Sequence, residues 1–128
     1  MVLPASMRLR GNRCFDRLHR SGIRFHGPLM VLRVVKAKPG LLKSPQRHAK
    51  STACRCGVQI SSKVSKKAVI RNRLRRLLHD HLRIRLEGAS EHANQWALIS
   101  LKPTSSTTQH SPLLEECDRL LREAGLLR

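Results

Sequence analysis

The sequence predicts a small α/β domain, an α+β sandwich with helices packed on a four-stranded sheet in the order α-β-β-β-α-β-α. Three observations carry this. The chain has 128 residues, enough for one core and no second one. Apolar residues make up 40%, so a packed core forms and full disorder is excluded. The hydrophobic spacing switches repeatedly between helical and strand periods along the chain.

The elements follow in order. Residues 1–7 belong to a basic stretch closed by Gly11 and are expected to form a flexible arm. Asn12 is placed to cap a short helix over 13–20, stopped at Ser21-Gly22. Cys14, Phe15 and Leu18 share one side of it, with Arg13, Arg17 and Arg20 elsewhere. Ile23 to His26 forms a short strand, and Pro28 to Lys36 the first clear one. Residues 37–52, rich in Lys, Pro, Ser and Gln, lack periodicity and read as a mobile loop. Ala53 to Ser61 alternates, with Cys54, Cys56, Val58 and Ile60 on an apolar face and Arg55, Gly57, Gln59 and Ser61 on a polar, cation-bearing one. Gly57 on that face lets something approach the backbone closely.

Ser65 to about Leu86 is the strongest helical pattern. Ile70, Leu74, Leu77, Leu78, His81 and Ile84 gather on one arc; Asn72, Arg73, Arg75, Arg76, His79 and Arg83 fill the other, with Arg71 at the boundary. Trp96 to Leu101 is the next strand, and 102–110 a polar loop. Ser111-Pro112 starts the last helix, Glu115, Glu116 and Asp118 complement its N-terminal dipole, Leu113, Cys117, Leu120, Leu121 and Ala124 form its buried side, and Gly125 ends it. The whole of 1–128 is thus one domain.

Charge narrows the function. There are 26 Lys and Arg against 8 Asp and Glu, a formal net charge of +18. Residues 1–86 hold 22 of those cations and only two acids, Asp16 and Asp80. Such a chain repels itself unless a polyanion is near, and nucleic acid is the first candidate, ahead of an anionic membrane surface. No run of about 18 apolar residues is present to span a bilayer, and no apolar stretch at the N-terminus marks a secretory signal. The four cysteines lack zinc-site spacing and read as small apolar residues of a reducing compartment. No protein-only metal site and no catalytic constellation of His, Asp or Glu is expected.

Seven Lys and Arg lie between Lys63 and Arg76 with no acid among them. Arginines present forked donors that match phosphate oxygens, and an asparagine adds a neutral group for a ribose or base edge. The run Arg55-Cys56-Gly57-Val58, then Lys63, then Arg71-Asn72-Arg73-Leu74-Arg75-Arg76-Leu77 resembles the signature of the bacterial ribonuclease P protein subunit family. The resemblance extends to Arg8-Leu9, Phe15, Leu98-Ile99 and Lys102-Pro103, over about residues 7–125.

The resemblance implies a left-handed βαβ crossover, against the general right-handed rule. It implies a cytoplasmic ribonucleoprotein that removes the 5′ leader from precursor tRNA, an endonucleolytic hydrolysis. Its RNA subunit would do the chemistry with RNA-bound Mg2+. The protein alone would be inactive. Its partners would be the catalytic RNA and precursor tRNA, with neither membrane nor DNA. Lys66, Lys67, Arg71, Asn72, Arg73, Arg75 and Arg76 would contact the catalytic RNA. Phe15, His19, Val31, Arg33, Arg55, Gln59 and Lys63 would line or flank a cleft for the leader. Four positions depart from the family pattern: Ser62 replaces one of a Lys pair, His19 stands where many members carry Phe, Arg33 where some carry Tyr, and His79 where an Arg is common. With aromatics at 2%, leader binding would lean on cations and be salt-sensitive. A structural RNA binder without turnover, or a self-sufficient nuclease, are the competing readings; the arginine-rich frame with Phe15 disfavours the first, and the lack of acid constellations the second.

Overall fold

The computed structural model describes residues 3–42, 53–87 and 90–127. Their order is α1 (Asn12–Ser21), β1 (Ile23–His26), β2 (Met30–Lys36), β3 (Arg55–Gln59), α2 (Ala68–Leu86), β4 (Gln95–Leu101) and α3 (His110–Glu123). The strands form one sheet in the order β1-β2-β4-β3. β2 is antiparallel to both β1 and β4, while β3 lies parallel to β4, so α2 carries the chain back across the sheet. Residues 43–52 of the expected loop lie outside the described residues; Pro39–Leu41 before them is a short turn that buries Leu42.

One face of the sheet packs Met30, Leu32, Val34, Cys56, Val58, Ala97 and Ile99 against α2 and α3. α2 buries Leu74, Leu78, Leu82 and Leu86. Ile84, expected in that core, is 65% exposed. Each i to i+4 step overshoots a full turn by about 40°, so the buried ridge runs obliquely along the helix and leaves the fixed arc behind. α2 begins at Ala68, not Ser65; the Ser65 hydroxyl accepts the Lys67 N–H at 3.2 Å and shapes the turn before the helix.

The second face is not purely polar. Val35, Trp96 and Leu98 pack there against Cys14 and Leu18 of α1, with Leu9 and Leu42. All four cysteines are buried free thiols. Burial pushes the Cys117 thiol up to about 12, which keeps it protonated and apolar in behaviour.

The N-terminal segment corrects the expectation of a flexible arm. Residues 1–2 lie outside the described residues, but Leu3, Met7 and Leu9 are buried. Arg8 bridges to Cys56 in parallel, and the Leu9 N–H donates to the Cys56 carbonyl at 3.1 Å. The open edge of β3 needs main-chain partners, and this segment supplies them. The 102–110 loop is likewise ordered, through a turn at Pro103–Thr107 whose Ser105 is buried and donates to the Lys102 carbonyl at 2.7 Å.

Helix ends shift by a residue or two. Gly11 at φ 101°, not Asn12, precedes the first turn of α1. α3 starts at His110, so Pro112 falls inside its first turn, where no N–H is needed. At its other end Gly125 takes φ +77°, and the Gly125 and Leu126 N–H groups cap the Arg122 and Leu121 carbonyls while Leu126 is buried. Two of the three acids assigned to the α3 dipole serve packing instead. Glu116 accepts the Leu29 N–H at 2.8 Å; Asp118 accepts from Arg85 at 3.1 Å and pairs with His81 at 2.7 Å, tying α3 to α2.

Leu78→Ala should therefore cost about 2–5 kcal/mol in urea unfolding, whereas Ile84→Ala, on the same expected arc, should stay within about 0.5 kcal/mol.

Candidate nucleic-acid interface

The register stacks residues in rows across the α1 side of the sheet. Val35, Trp96 and Arg55 make one row; Arg24, Arg33, Leu98 and Gly57 the next; His26, Val31, Ser100 and Gln59 the last. α1 and the N-terminal segment cover the first row and leave the last open.

Gly57 sets how closely α1 can sit. A Cβ there would lie 2.8 Å from Phe15 Cε1 and 3.3 Å from Leu98 Cδ1. The close approach read from the sequence is thus made by Phe15 of the chain itself. One turn later, His19 Nε2 meets Gln59 Oε1 at 2.9 Å across the cleft. Beside them an open groove of about 490 Å³ is lined by Phe15, Val58, Gln59, Ile60, Ser61 and Arg75. α1, the end of β3 and α2 therefore meet in one depression.

Val31 is 9% exposed and contributes an apolar floor to the open row. Arg33 is half-buried and donates to Ser100 Oγ at 3.2 Å; burial, then the nearby Arg24 charge, lowers its pKa. Ser100, Arg24 and His26 share this face and were not among the expected residues. Strand alternation puts Arg24 and His26 on one face, but only the pairing register aligns Arg24 with Gly57 and His26 with Gln59.

Arg55 is a correction. It is 1% exposed, and its Nη1 donates to the Ala5 and Arg8 carbonyls at 2.9 and 3.1 Å. It anchors the N-terminal segment and does not reach the cleft. Its row is the one the chain covers: Trp96 is its register partner, and the N-terminal segment is bonded to its guanidinium.

The arginines of α2 divide. Arg71 and Arg75 flank the buried leucine ridge, and both are half-buried. Arg71 Nη1 donates to the Ser65 carbonyl at 2.8 Å and braces the preceding turn; Arg75 lines the groove. Asn72, Arg73 and Arg76 are exposed and, with Val69, line an outer depression of about 280 Å³. Arg75 also donates to Asn72 Oδ1 at 2.7 Å, linking the two sets. Lys63, Lys66 and Lys67 are exposed on the turn leading into α2; Lys66 and Lys67 precede the helix. His79, which stands on the cationic arc where the family commonly carries Arg, is half-buried. Burial, then Arg75 and Arg8, hold its pKa below the usual histidine value, so it is neutral at pH 7 and a poor phosphate ligand.

Among the described residues, no three His, Cys, Asp or Glu side chains stand where they would hold a metal ion. No described helix is long and apolar enough to cross a membrane.

The family model for ribonuclease P matches residues 3–125. The chain belongs to the ribonuclease P protein family. It is 72% identical over 127 residues to the ribonuclease P protein component of Prochlorococcus marinus (strain MIT 9313), covering 99% of each chain. It is 60% identical over 126 residues to that of Parasynechococcus marenigrum (strain WH8102), covering 98% of each. The structure of the Staphylococcus aureus RNase P protein superposes with a TM-score of 0.73 at 14% identity, covering 95% of this chain and 98% of that one. That likeness speaks for the fold alone: a mixed sheet of four strands with three helices. The shared groove carries Phe15 and Arg75, and the exposed side of α2 carries Asn72, Arg73 and Arg76.

Two outcomes follow for this surface. Gly57→Ala should destabilise the fold by about 1–3 kcal/mol through overpacking, and Phe15→Leu in the same chain should recover part of the loss in thermal melts. The unfolded chain binds a proton at His79 more readily than the folded one, so stability should fall as pH drops below about 6.5 toward the lower folded value. His79→Gln should flatten that part of the pH profile.

Proposed function

We propose that the chain is the protein subunit of ribonuclease P, serving the removal of the 5′ leader from precursor tRNA. The observation that carries this reading is the single groove that joins Phe15 and Gln59 to Arg75 of α2. A strand in the groove would lie against Phe15, and the arginine helix beside it would hold the catalytic RNA. One protein surface then fixes the leader relative to the RNA that cuts it.

Each group has a role in the proposal. Phe15 offers a face for one leader base, worth about 1–3 kcal/mol. His19, Gln59 and Ser100 supply neutral donors and acceptors along the open row, over the apolar Val31. Arg33 and Arg75 face the leader phosphates. Asn72, Arg73 and Arg76, with Lys63, Lys66 and Lys67 on the approach, take the catalytic RNA. Arg71 holds the turn that presents those lysines. Trp96 is buried, so Phe15 is the aromatic group lining the groove, and the remaining affinity comes from charge. Binding should weaken steeply with salt.

The family implies Mg2+ as the metal of the reaction. The donor set here does not fit it: Glu116 and Asp118 are engaged in packing, and the described residues bring no acidic cluster together. The proposal leaves the metal and the bond-breaking step to the RNA, and the chain's own work is binding and positioning.

Cleavage of precursor tRNA at low Mg2+ tests the reading, with a bacterial ribonuclease P RNA alone, the protein alone, and both together. Activity is expected only in the mixture. Phe15→Ala should weaken binding of the leader-bearing precursor by about tenfold or more and leave binding of mature tRNA unchanged. Cleavage by the protein alone would overturn the division of labour. Tight RNA binding without rescue would instead favour a structural RNA binder.

A further inference from the structure

A second basic surface lies on the other side of α1. On a helical wheel Phe15 and His19 point toward the cleft, while Arg13, Arg17 and Arg20 form a stripe on the opposite side. That stripe, with Asp16, Ser21 and Leu41, lines a separate groove of about 260 Å³ between α1 and the chain that follows β2. Lys36 and Lys38 are exposed on that neighbouring chain.

The groove is partly built. Arg17 donates through Nε and Nη2 to the Lys36 carbonyl at 3.2 and 3.1 Å, which fixes its guanidinium at the floor. Arg13 and Arg20 are exposed on either side of it. Steps of three and four residues along a helix separate the three by about 4.5–6 Å, close to the interval between successive phosphates on a nucleic-acid strand. Asp16 is the one carboxylate in the lining, so the cations outnumber it.

We propose that this outer groove is a second site for an RNA phosphate backbone, distinct from the leader groove. α1 would then sit as a wedge between two RNA segments, reading one with Phe15 and His19 and gripping the other with Arg13, Arg17 and Arg20. The inference rests on the ribonuclease P subunit reading, because it takes the second segment to be part of the catalytic RNA. Charge complementarity selects the occupant: the groove holds three guanidinium groups and one carboxylate, a balance that favours a polyanion.

The test measures binding of the full-length protein to a bacterial ribonuclease P RNA and, separately, to a single-stranded RNA of leader length, across a salt series. Arg13→Gln with Arg20→Gln is the main variant; Arg17 is left intact because it also braces the fold. For the ribonuclease P RNA, the double variant should lose about tenfold in affinity, and its salt slope should fall by about 2, one per lost phosphate contact. Its affinity for the leader-length RNA and its melting temperature should stay unchanged. Asp16→Asn should shift affinity for the ribonuclease P RNA the other way, by a few-fold. Wild-type affinity and slope in the double variant would overturn the second site while leaving the subunit reading intact. Equal losses on both RNAs would also overturn it, since the arginines would then act only through general charge. Failure of the wild-type chain to bind the ribonuclease P RNA at all would bring down both.

Discussion

With 26 Lys and Arg and 8 Asp and Glu, this chain has too few carboxylates to pair its cations, and its arginines turn to main-chain carbonyls. Arg8 donates to the Leu3 carbonyl, Arg17 to that of Lys36, Arg55 to those of Ala5 and Arg8, and Arg71 to that of Ser65. A carbonyl oxygen satisfies the donor without cancelling the charge. The bonds fasten the N-terminal segment, the chain after β2 and the turn before α2, and the molecule keeps its positive field. Carboxylates are used where neutrality matters more: Glu116 and Asp118 sit in the packing of α3, away from the exposed side of α2. Scaffold and binding surface thus draw on different acceptors.

Much of the fold was legible because it rests on periodicity. The three helices, the four strands and the buried side of α3 follow from spacing alone. What failed depends on partners distant in sequence. The N-terminal segment looked mobile because its arginines dominate a local reading, yet Leu3, Met7 and Leu9 are buried there. The α2 ridge was set by an oblique crossing over the sheet, so Leu82 and Leu86 replaced Ile84 in the core. Helix starts moved because Gly11 and Gln109, neither an obvious capping signal here, precede the first turns.

The candidate site divides in the same way. Phe15, Gln59 and the outward residues of α2 could be placed from pattern and resemblance. Arg55 was misplaced because alternation assigns a face but not what covers that face. The half-burial of His79 and Arg71 was not legible for a related reason: a helical wheel gives direction, while burial depends on what packs beside the helix. Ser100 was missed because the row it shares with Val31 and Gln59 is a property of register, which no local pattern encodes.

The position of β4 has a consequence for the order of events during synthesis. β2 and β3 never pair with each other; β4 lies between them and bonds to both. Until Gln95–Leu101 has emerged, β3 lacks its strand partner and the N-terminal segment lacks a settled edge to dock on. The α1–β1–β2 portion makes near-neighbour contacts and can form early, whereas closing the sheet joins residues far apart in sequence, the slow kind of contact. The groove beside Phe15, whose walls come from α1, β3 and α2, is thus completed by an element that lines none of it. A nascent chain would expose its cations well before it acquires the shape that gives them selectivity.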